Sequence, residues 1–248
     1  MNYDYIKQGD CLKLMAEIPN KSIDMILCDL PYGTTPLKWD TIIPFELLWK
    51  QYNRIIKDNA AIVLFACQPF TSALGESNIK QLKYQWYWIK NKTTNFLNAN
   101  KMPLKCVEDI LVFYKKPPTY NPQGIKPVNK VYQNSKSKLY GREYSSVMSA
   151  GFKNHSFIRT YTNYPKQVLY FDSVSGNNLH PTQKPVTLLE YLIKTYTNEG
   201  EIVLDNCMGS GSTCVAAINT NRHYVGFELD ENYFNIAKKR IDEIKNAG

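Results

Sequence analysis

The sequence predicts an α/β protein built on a doubly wound, mostly parallel sheet with one inserted segment. Three observations point there. Short apolar runs alternate with stretches of helical periodicity at both ends of the 248-residue chain. Several of those runs end in an acid, Asp29, Asp205 and Glu228, and in an open parallel sheet strand carboxyl ends form one ligand crevice. Between the two alternating regions the pattern is lost over residues 115–166, which hold Pro117, Pro118, Pro122 and Pro127 and few aliphatic side chains.

The elements follow in order. Ser22 to Cys28 is an apolar run that stops at Asp29-Leu30-Pro31-Tyr32-Gly33, a buried strand entering a loop. Phe45 to Lys57 places Phe45, Leu48, Trp49, Tyr52, Ile55 and Ile56 at helical spacing. Ala60 to Ala66 is a second buried strand, and Gln85 to Lys90 and Val107 to Tyr114 are two more, rich in aromatic and β-branched residues. Pro185 opens a helix running through Leu188, Leu189, Leu192 and Ile193. Glu201 to Asp205 is a strand, a glycine-bearing turn and the helix Thr213 to Asn219 follow, Tyr224 to Glu228 is the next strand, and Glu231 to Ile244 is an amphipathic helix. The expected organisation is 1–114, an inserted segment 115–166, and 167–248.

Charge divides along the same boundaries. The chain carries 30 Lys and Arg against 22 Asp and Glu, a net charge of +8. Residues 115–166 contain ten basic residues and the single acid Glu143, so this segment alone has +9 and the remainder is close to neutral. Tyrosines and phenylalanines interleave with those lysines and arginines, as suits a polyanion-binding lobe better than a solvated loop. Other classes recede. No apolar run reaches the roughly 18 residues of a membrane span, and the first residues lack a signal-peptide layout, so a cytoplasmic protein is expected. Cys11, Cys28, Cys67, Cys106, Cys207 and Cys214 form no CxxC pair and His155, His180 and His223 are scattered, so no metal site is predicted.

Two constellations carry chemistry. In Asp205-Asn206-Cys207-Met208-Gly209-Ser210-Gly211 a strand turns into a helix through two glycines, and Glu228 ends the next strand. Such a turn lets backbone approach a ligand, and an acid at that position can accept from both ribose hydroxyls. The alternative is a tight turn with an unrelated acid. No lysine follows the glycines, so a triphosphate loop is excluded and a nucleoside-like ligand is favoured. Asp29-Leu30-Pro31-Tyr32 combines a carboxylate, a stiff proline and an aromatic face. It can hold a planar amine, with acceptors on the amino hydrogens and ring against ring. Read alone, it is equally a strand-ending turn with a surface tyrosine.

Together these strings resemble the S-adenosylmethionine-dependent DNA amino-methyltransferases, which methylate adenine N6 or cytosine N4. The tetrad resembles that family's [DNS]-P-P-[YFW] and residues 205–211 its D-x-F-x-G-x-G. His180-Pro181-Thr182-Gln183-Lys184-Pro185 matches its H-P-[TA]-[QE]-K-P signature, and Gln8-Gly9-Asp10-Cys11 and Tyr164 to Leu169 resemble two further segments. The catalytic motif precedes the cofactor motif, the family's β-type order. The resemblance therefore implies a circularly permuted Rossmann-like sheet with an inserted target-recognition region. It implies that Asp29 and the Leu30 carbonyl accept the hydrogens of the target amino group, with Pro31 stiffening the tetrad, and that Tyr32 stacks on the flipped base. It implies S-adenosyl-L-methionine bound by Asp10, Asp29, Thr182, Lys184, Asp205, Gly209, Ser210, Gly211 and Glu228. Leu30 in place of proline and Cys207 in place of an aromatic depart from the pattern.

Methylation at cytosine C5 would need a Pro-Cys nucleophile, and the chain has none. The expectation is adenine-N6 methylation in double-stranded DNA, because aspartate opens the tetrad. Cytosine-N4 chemistry is the main alternative. An RNA or protein-glutamine methyltransferase, or a non-catalytic DNA-binding relative, are the others. Lys126, Lys130, Lys136, Lys138, Arg142, Lys153 and Arg159 are the candidate DNA contacts. The family resemblance allows a homodimer and a cognate restriction endonuclease as further partners.

Overall fold

The computed structural model describes residues 3–34, 40–133, 138–139, 142–143, 156–174 and 183–247. In chain order its elements are β1 (Tyr5–Gln8), α1 (Cys11–Ala16), β2 (Ile23–Asp29), α2 (Phe45–Ile55), β3 (Ile56–Ala66), α3 (Phe70–Ser77), β4 (Leu82–Thr94), β5 (Lys105–Phe113), β6 (Lys126–Gln133), β7 (Lys138–Leu139), β8 (Arg142–Glu143), β9 (Ser156–Thr162), β10 (Val168–Tyr170), α4 (Val186–Tyr196), β11 (Ile202–Asp205), α5 (Ser212–Asn219), β12 (His223–Glu228) and α6 (Glu231–Ala247). Among the described residues no helix is long and apolar enough to cross a membrane.

Eight strands form one sheet in the order β1-β12-β11-β2-β3-β5-β4-β10. All neighbours are parallel except β3 with β5 and β5 with β4. Both faces are covered. On one, Met25, Leu27, Val63, Phe65, Ile110 and Val112 pack against Leu188, Leu189 and Leu192 of α4, Val215 and Ala216 of α5, and Ala237 and Ile241 of α6. On the other, Ile26, Cys28, Ile62, Leu64, Leu111 and Phe113 meet Met15 of α1, Leu48, Trp49 and Tyr52 of α2, and Phe70 and Leu74 of α3. Successive side chains of a strand point to opposite faces. With both faces buried, the central stretches of β2 and β3 are apolar on both sides, which is why they read as continuous runs.

The structure extends several expected elements. β4 runs from Leu82 to Thr94, well past the expected Gln85 to Lys90, and β3 takes over from α2 already at Ile56. The short α1 and α3 and the edge strand β1 carry no periodic signal long enough to read. Parallel geometry brings the carboxyl ends of β2, β11 and β12, at Asp29, Asp205 and Glu228, to one edge of the sheet.

Residues Pro122–Pro165 form a separate compact unit. Its main feature is an antiparallel pairing of β6 with β9, with β7 and β8 as a second short pair. The base of the β6–β9 pair is closed by Asn163, whose Nδ2 donates to the Gly124 carbonyl at 2.8 Å, both residues being left-handed.

Candidate active site

A cavity of about 360 Å³ opens at the carboxyl edge. Asp10, Asp29, Leu30, Pro31, Tyr32, Lys184, Asp205, Gly209, Ser210 and Glu228 all line it, with Leu12, Ile42, Ile43, Pro44 and Met208 among its apolar walls. Most of the expected site residues are therefore brought together. Thr182 lies outside the described residues, as do Lys136 and Lys153.

The glycine loop is held by the acids beside it. Glu228 Oε2 accepts from the Gly209 N–H at 2.8 Å and Oε1 from the Asp230 N–H at 2.8 Å. The Gly209 amide thus points at Glu228 and is not left open to a ligand, so the acid that ends β12 also sets the path of the loop. Burial raises the Glu228 carboxyl above its ordinary value, against the pull of those amides. Asp205 accepts from the Cys207 N–H at 3.1 Å, and burial pushes its carboxyl up to about 6. Gly209 and Gly211 both have positive φ, at +52° and +77°. Gly211 does not line the cavity. It caps α5, and a Cβ there would lie 3.1 Å from Ala237 Cβ on α6, so the residue is glycine for helix packing. Gly226, beneath the loop, is tighter still, since a Cβ would come within 2.5 Å of Met208 Sδ. Cys207, the departure from the aromatic, packs with Cys11 against the core cluster that contains Cys28, and its sulfur accepts from Asn206 Nδ2 at 3.4 Å. Asp10 caps α1, its Oδ1 accepting from Lys13 N at 3.0 Å.

The tetrad is anchored from two sides. Asp40, buried, accepts from three consecutive backbone amides, those of Tyr32, Gly33 and Thr34, at 2.7, 2.8 and 2.9 Å. Charged acceptors of backbone amides make strong hydrogen bonds, so this carboxylate fixes the turn that carries Tyr32. Tyr32 also stacks on Phe70, ring centroids 5.0 Å apart at 30°. Its hydroxyl donates to Asp29 Oδ1 at 2.6 Å. Leu30 is buried in the core, which accounts for an aliphatic residue where the family pattern has proline.

The other oxygen of Asp29, Oδ2, is paired with Lys184 Nζ. Lys184 is buried and also stands 3.5 Å from Glu108 Oε2 on β5, while Glu108 Oε1 pairs with Lys90 of β4. The result is an alternating chain, Asp29, Lys184, Glu108, Lys90, in which each buried charge has an opposite neighbour. Burial raises the Asp29 carboxyl, and Lys184 only partly offsets it. Burial acts the same way on Glu108, but Lys184 and Lys90 together outweigh it and hold that carboxyl below its ordinary value. Burial alone would lower the Lys184 ammonium, but Asp29 and Glu108 raise it above its ordinary value, so it is a cation at neutral pH. Sequence reasoning places Lys184 among the cofactor residues; the structure also makes it the counter-ion of Asp29. It misses Glu108, Asp40 and Phe70. The one signal available is the acid pair Glu108-Asp109 inside an otherwise apolar strand.

Of the basic candidates, Lys126 and Arg159 are exposed on the Pro122–Pro165 unit, and Lys130, Lys138 and Arg142 belong to β6, β7 and β8.

The cavity suits a nucleoside-like ligand. Asp10, Asp205 and Glu228 offer acceptors for hydroxyl and amino groups, and the apolar walls offer faces for a ring. Comparison with known proteins agrees. Residues 23–239 match a family described as DNA methylase, of the N6 and N4 type. The protein YubD of Escherichia coli (strain K12) is 30% identical over 248 residues, covering 97% of this chain and 91% of that one. The type II methyltransferase M.HpaI of Haemophilus parainfluenzae is 28% identical, covering 96% and 74%. A crystal structure of the M1.HpyAVI–SAM complex superposes with a TM-score of 0.66 at 25% identity, covering 96% and 98%. The PvuII DNA methyltransferase, described as cytosine-N4-specific, shares the fold with a TM-score of 0.65 at 16% identity, covering 99% and 92%.

Proposed function

The chain belongs to the N6/N4 DNA methylase family, and from that premise we propose that it transfers a methyl group from S-adenosylmethionine to adenine N6 of a base flipped out of double-stranded DNA. The observation that carries this reading is the placement of Asp29 and Tyr32 on the same cavity as Asp10, Asp205 and Glu228. Acceptors for a planar amine thus stand beside acceptors for a nucleoside.

An exocyclic amine is a weak nucleophile because its lone pair is delocalised into the ring. Asp29 and the Leu30 carbonyl accept its two hydrogens and favour a pyramidal nitrogen whose lone pair is available for in-line attack. A carboxylate has about four lone-pair directions, so Asp29 can keep Tyr32 and Lys184 while accepting the amine. The cofactor supplies an electrophilic sulfonium methyl. The amine that accepts that methyl would become cationic and must lose a proton. Asp29, its pKa raised by burial, is the base within reach of the proton that must then leave. Tyr32, backed by Phe70, stacks on the base. With the cofactor bound, Asp10 would accept from its adenine, Glu228 from its ribose, and Asp205 with the 209–211 loop would shape the methionine end. Catalysis is positioning and electrostatics, without a covalent enzyme intermediate. The 115–166 segment reads the duplex, a role supported by its +9 charge.

Labelled cofactor incubated with duplex DNA, RNA and protein tests this, followed by mass spectrometry of the nucleosides. N6-methyladenine in DNA is expected, and Asp29→Ala should abolish it while cofactor binding persists. N4-methylcytosine would overturn the base assignment, and label confined to RNA or protein the substrate class.

A further inference from the structure

The hairpin of β4 and β5 is longer than the sheet requires. Asp29, Phe65, Ile110 and Trp86 stand at one level across β2, β3, β5 and β4. β4 is parallel to β2, so its later residues rise past the edge that holds the cavity. The last pair, Thr94 with Lys105, is eight residues beyond Trp86, about 26 Å at the rise of a strand. From Asn91 to Thr94 every residue is exposed.

The tip of this arm is ordered by its own bonds. Asn98 N donates to Asn95 O at 3.0 Å, Ala99 N to Phe96 O at 3.1 Å, and Lys101 N to Asn98 O at 2.8 Å. That turn presents apolar side chains to solvent. Leu97 is 100% exposed, Phe96 66% and Met102 49%. A fixed turn that holds large apolar groups out in water is unfavourable unless something covers them. The surrounding charge is of one sign: residues 91–107 contain Lys92, Lys101 and Lys105 and no acid.

We propose that the β4–β5 arm is a second DNA-contacting element, with Phe96, Leu97 and Met102 set against the sugars and bases of the duplex flanking the flipped base and the three lysines on its phosphates. This rests on the DNA methylase reading of the cavity. Apolar side chains among cations are what a partly opened duplex takes up, since unstacked bases offer apolar faces and the backbone offers negative charge. A second copy of the chain fits less well, because its own arm brings the same three positive charges.

Hydroxyl-radical labelling of the whole protein, read by mass spectrometry with and without sheared duplex DNA at low salt, tests the proposal. Fluorescence anisotropy in parallel reports whether DNA is bound. Labelling of Phe96, Leu97 and Met102 should fall severalfold with DNA, while Ile79, 66% exposed and next to the amino end of β4, should not change. The variant Phe96→Asp with Leu97→Asp, both at exposed positions, should weaken DNA binding about tenfold or more and leave cofactor affinity unchanged. Bound DNA with an unprotected tip overturns the arm and leaves the methylase reading standing. Protection that grows with protein concentration without DNA assigns the tip to a second copy and overturns the proposal. Absence of any DNA binding overturns both readings.

Discussion

Replacing Lys184 with methionine removes the cation between Asp29 and Glu108 while roughly keeping side-chain length. Opposite charges about 4 Å apart interact by about 4 kcal/mol at an effective dielectric of about 20. Without that cation the Asp29 carboxyl, already raised by burial, rises further. Glu108 keeps Lys90, so the larger loss falls on Asp29. Two consequences follow with a definite sign. Folding should weaken by about 3–5 kcal/mol, because a buried carboxylate loses its partner. The single-turnover methylation rate should drop at least tenfold at neutral pH and recover as pH rises, because only ionised Asp29 can accept from the amine. Rates measured from about pH 6 to about pH 9, with urea unfolding alongside, read both effects. Adding Asp29→Asn should return most of the lost stability, since no unpaired charge then remains. A Lys184→Met enzyme with the wild-type rate, or with a rate lowered equally at all pH, would refute the role given to this ion pair.

Asp40→Ala leaves three backbone amides of the tetrad turn without their carboxylate, and should cost about 2–3 kcal/mol in urea unfolding and lower the methylation rate more than cofactor affinity. Asp205 has a raised carboxyl, at about 6 against about 3.9 in an unfolded chain, so the folded protein holds its proton more tightly. Its contribution is most favourable below about pH 4 and is lost as pH rises to about 6, by about 2–3 kcal/mol. Subtracting the pH profile of Asp205→Asn from that of the wild type should show a fall of that sign, and a difference rising with pH would contradict it. DNA affinity should fall steeply with salt, and Lys126→Ala and Arg159→Ala should each reduce the slope of log affinity against log salt by about 1 without changing sequence preference. Slopes equal to the wild type would remove these two residues from the phosphate contacts.

Part of the site is legible in the sequence because parallel sheets place ligands at strand carboxyl ends. Asp29, Asp205 and Glu228 each close an apolar run, so their meeting at one edge follows from the alternation of strands and helices alone. The glycine loop is legible for the same reason, though Gly211 serves α6 packing. Glu108 is not. It reaches Lys184 only because β5 enters antiparallel between β3 and β4, a strand order that no local pattern reveals. Asp40 is hidden too, since a lone aspartate in a loop looks the same whether it faces water or caps three amides.

Residues 115–166 show the same division. Their charge and loss of periodicity mark them off in the sequence, whereas the β6–β9 pairing and its register emerge only in three dimensions. Local patterns in this chain record what each segment must bury and which chemical groups it carries. That is sufficient for strands, helices and family motifs, because burial and turn chemistry are set by near neighbours. The pairing of Lys184 with Asp29 and Glu108 and the reach of the β4–β5 arm past the cavity require the tertiary structure. They depend on strand order and register, which are decided by the packing of both sheet faces at once.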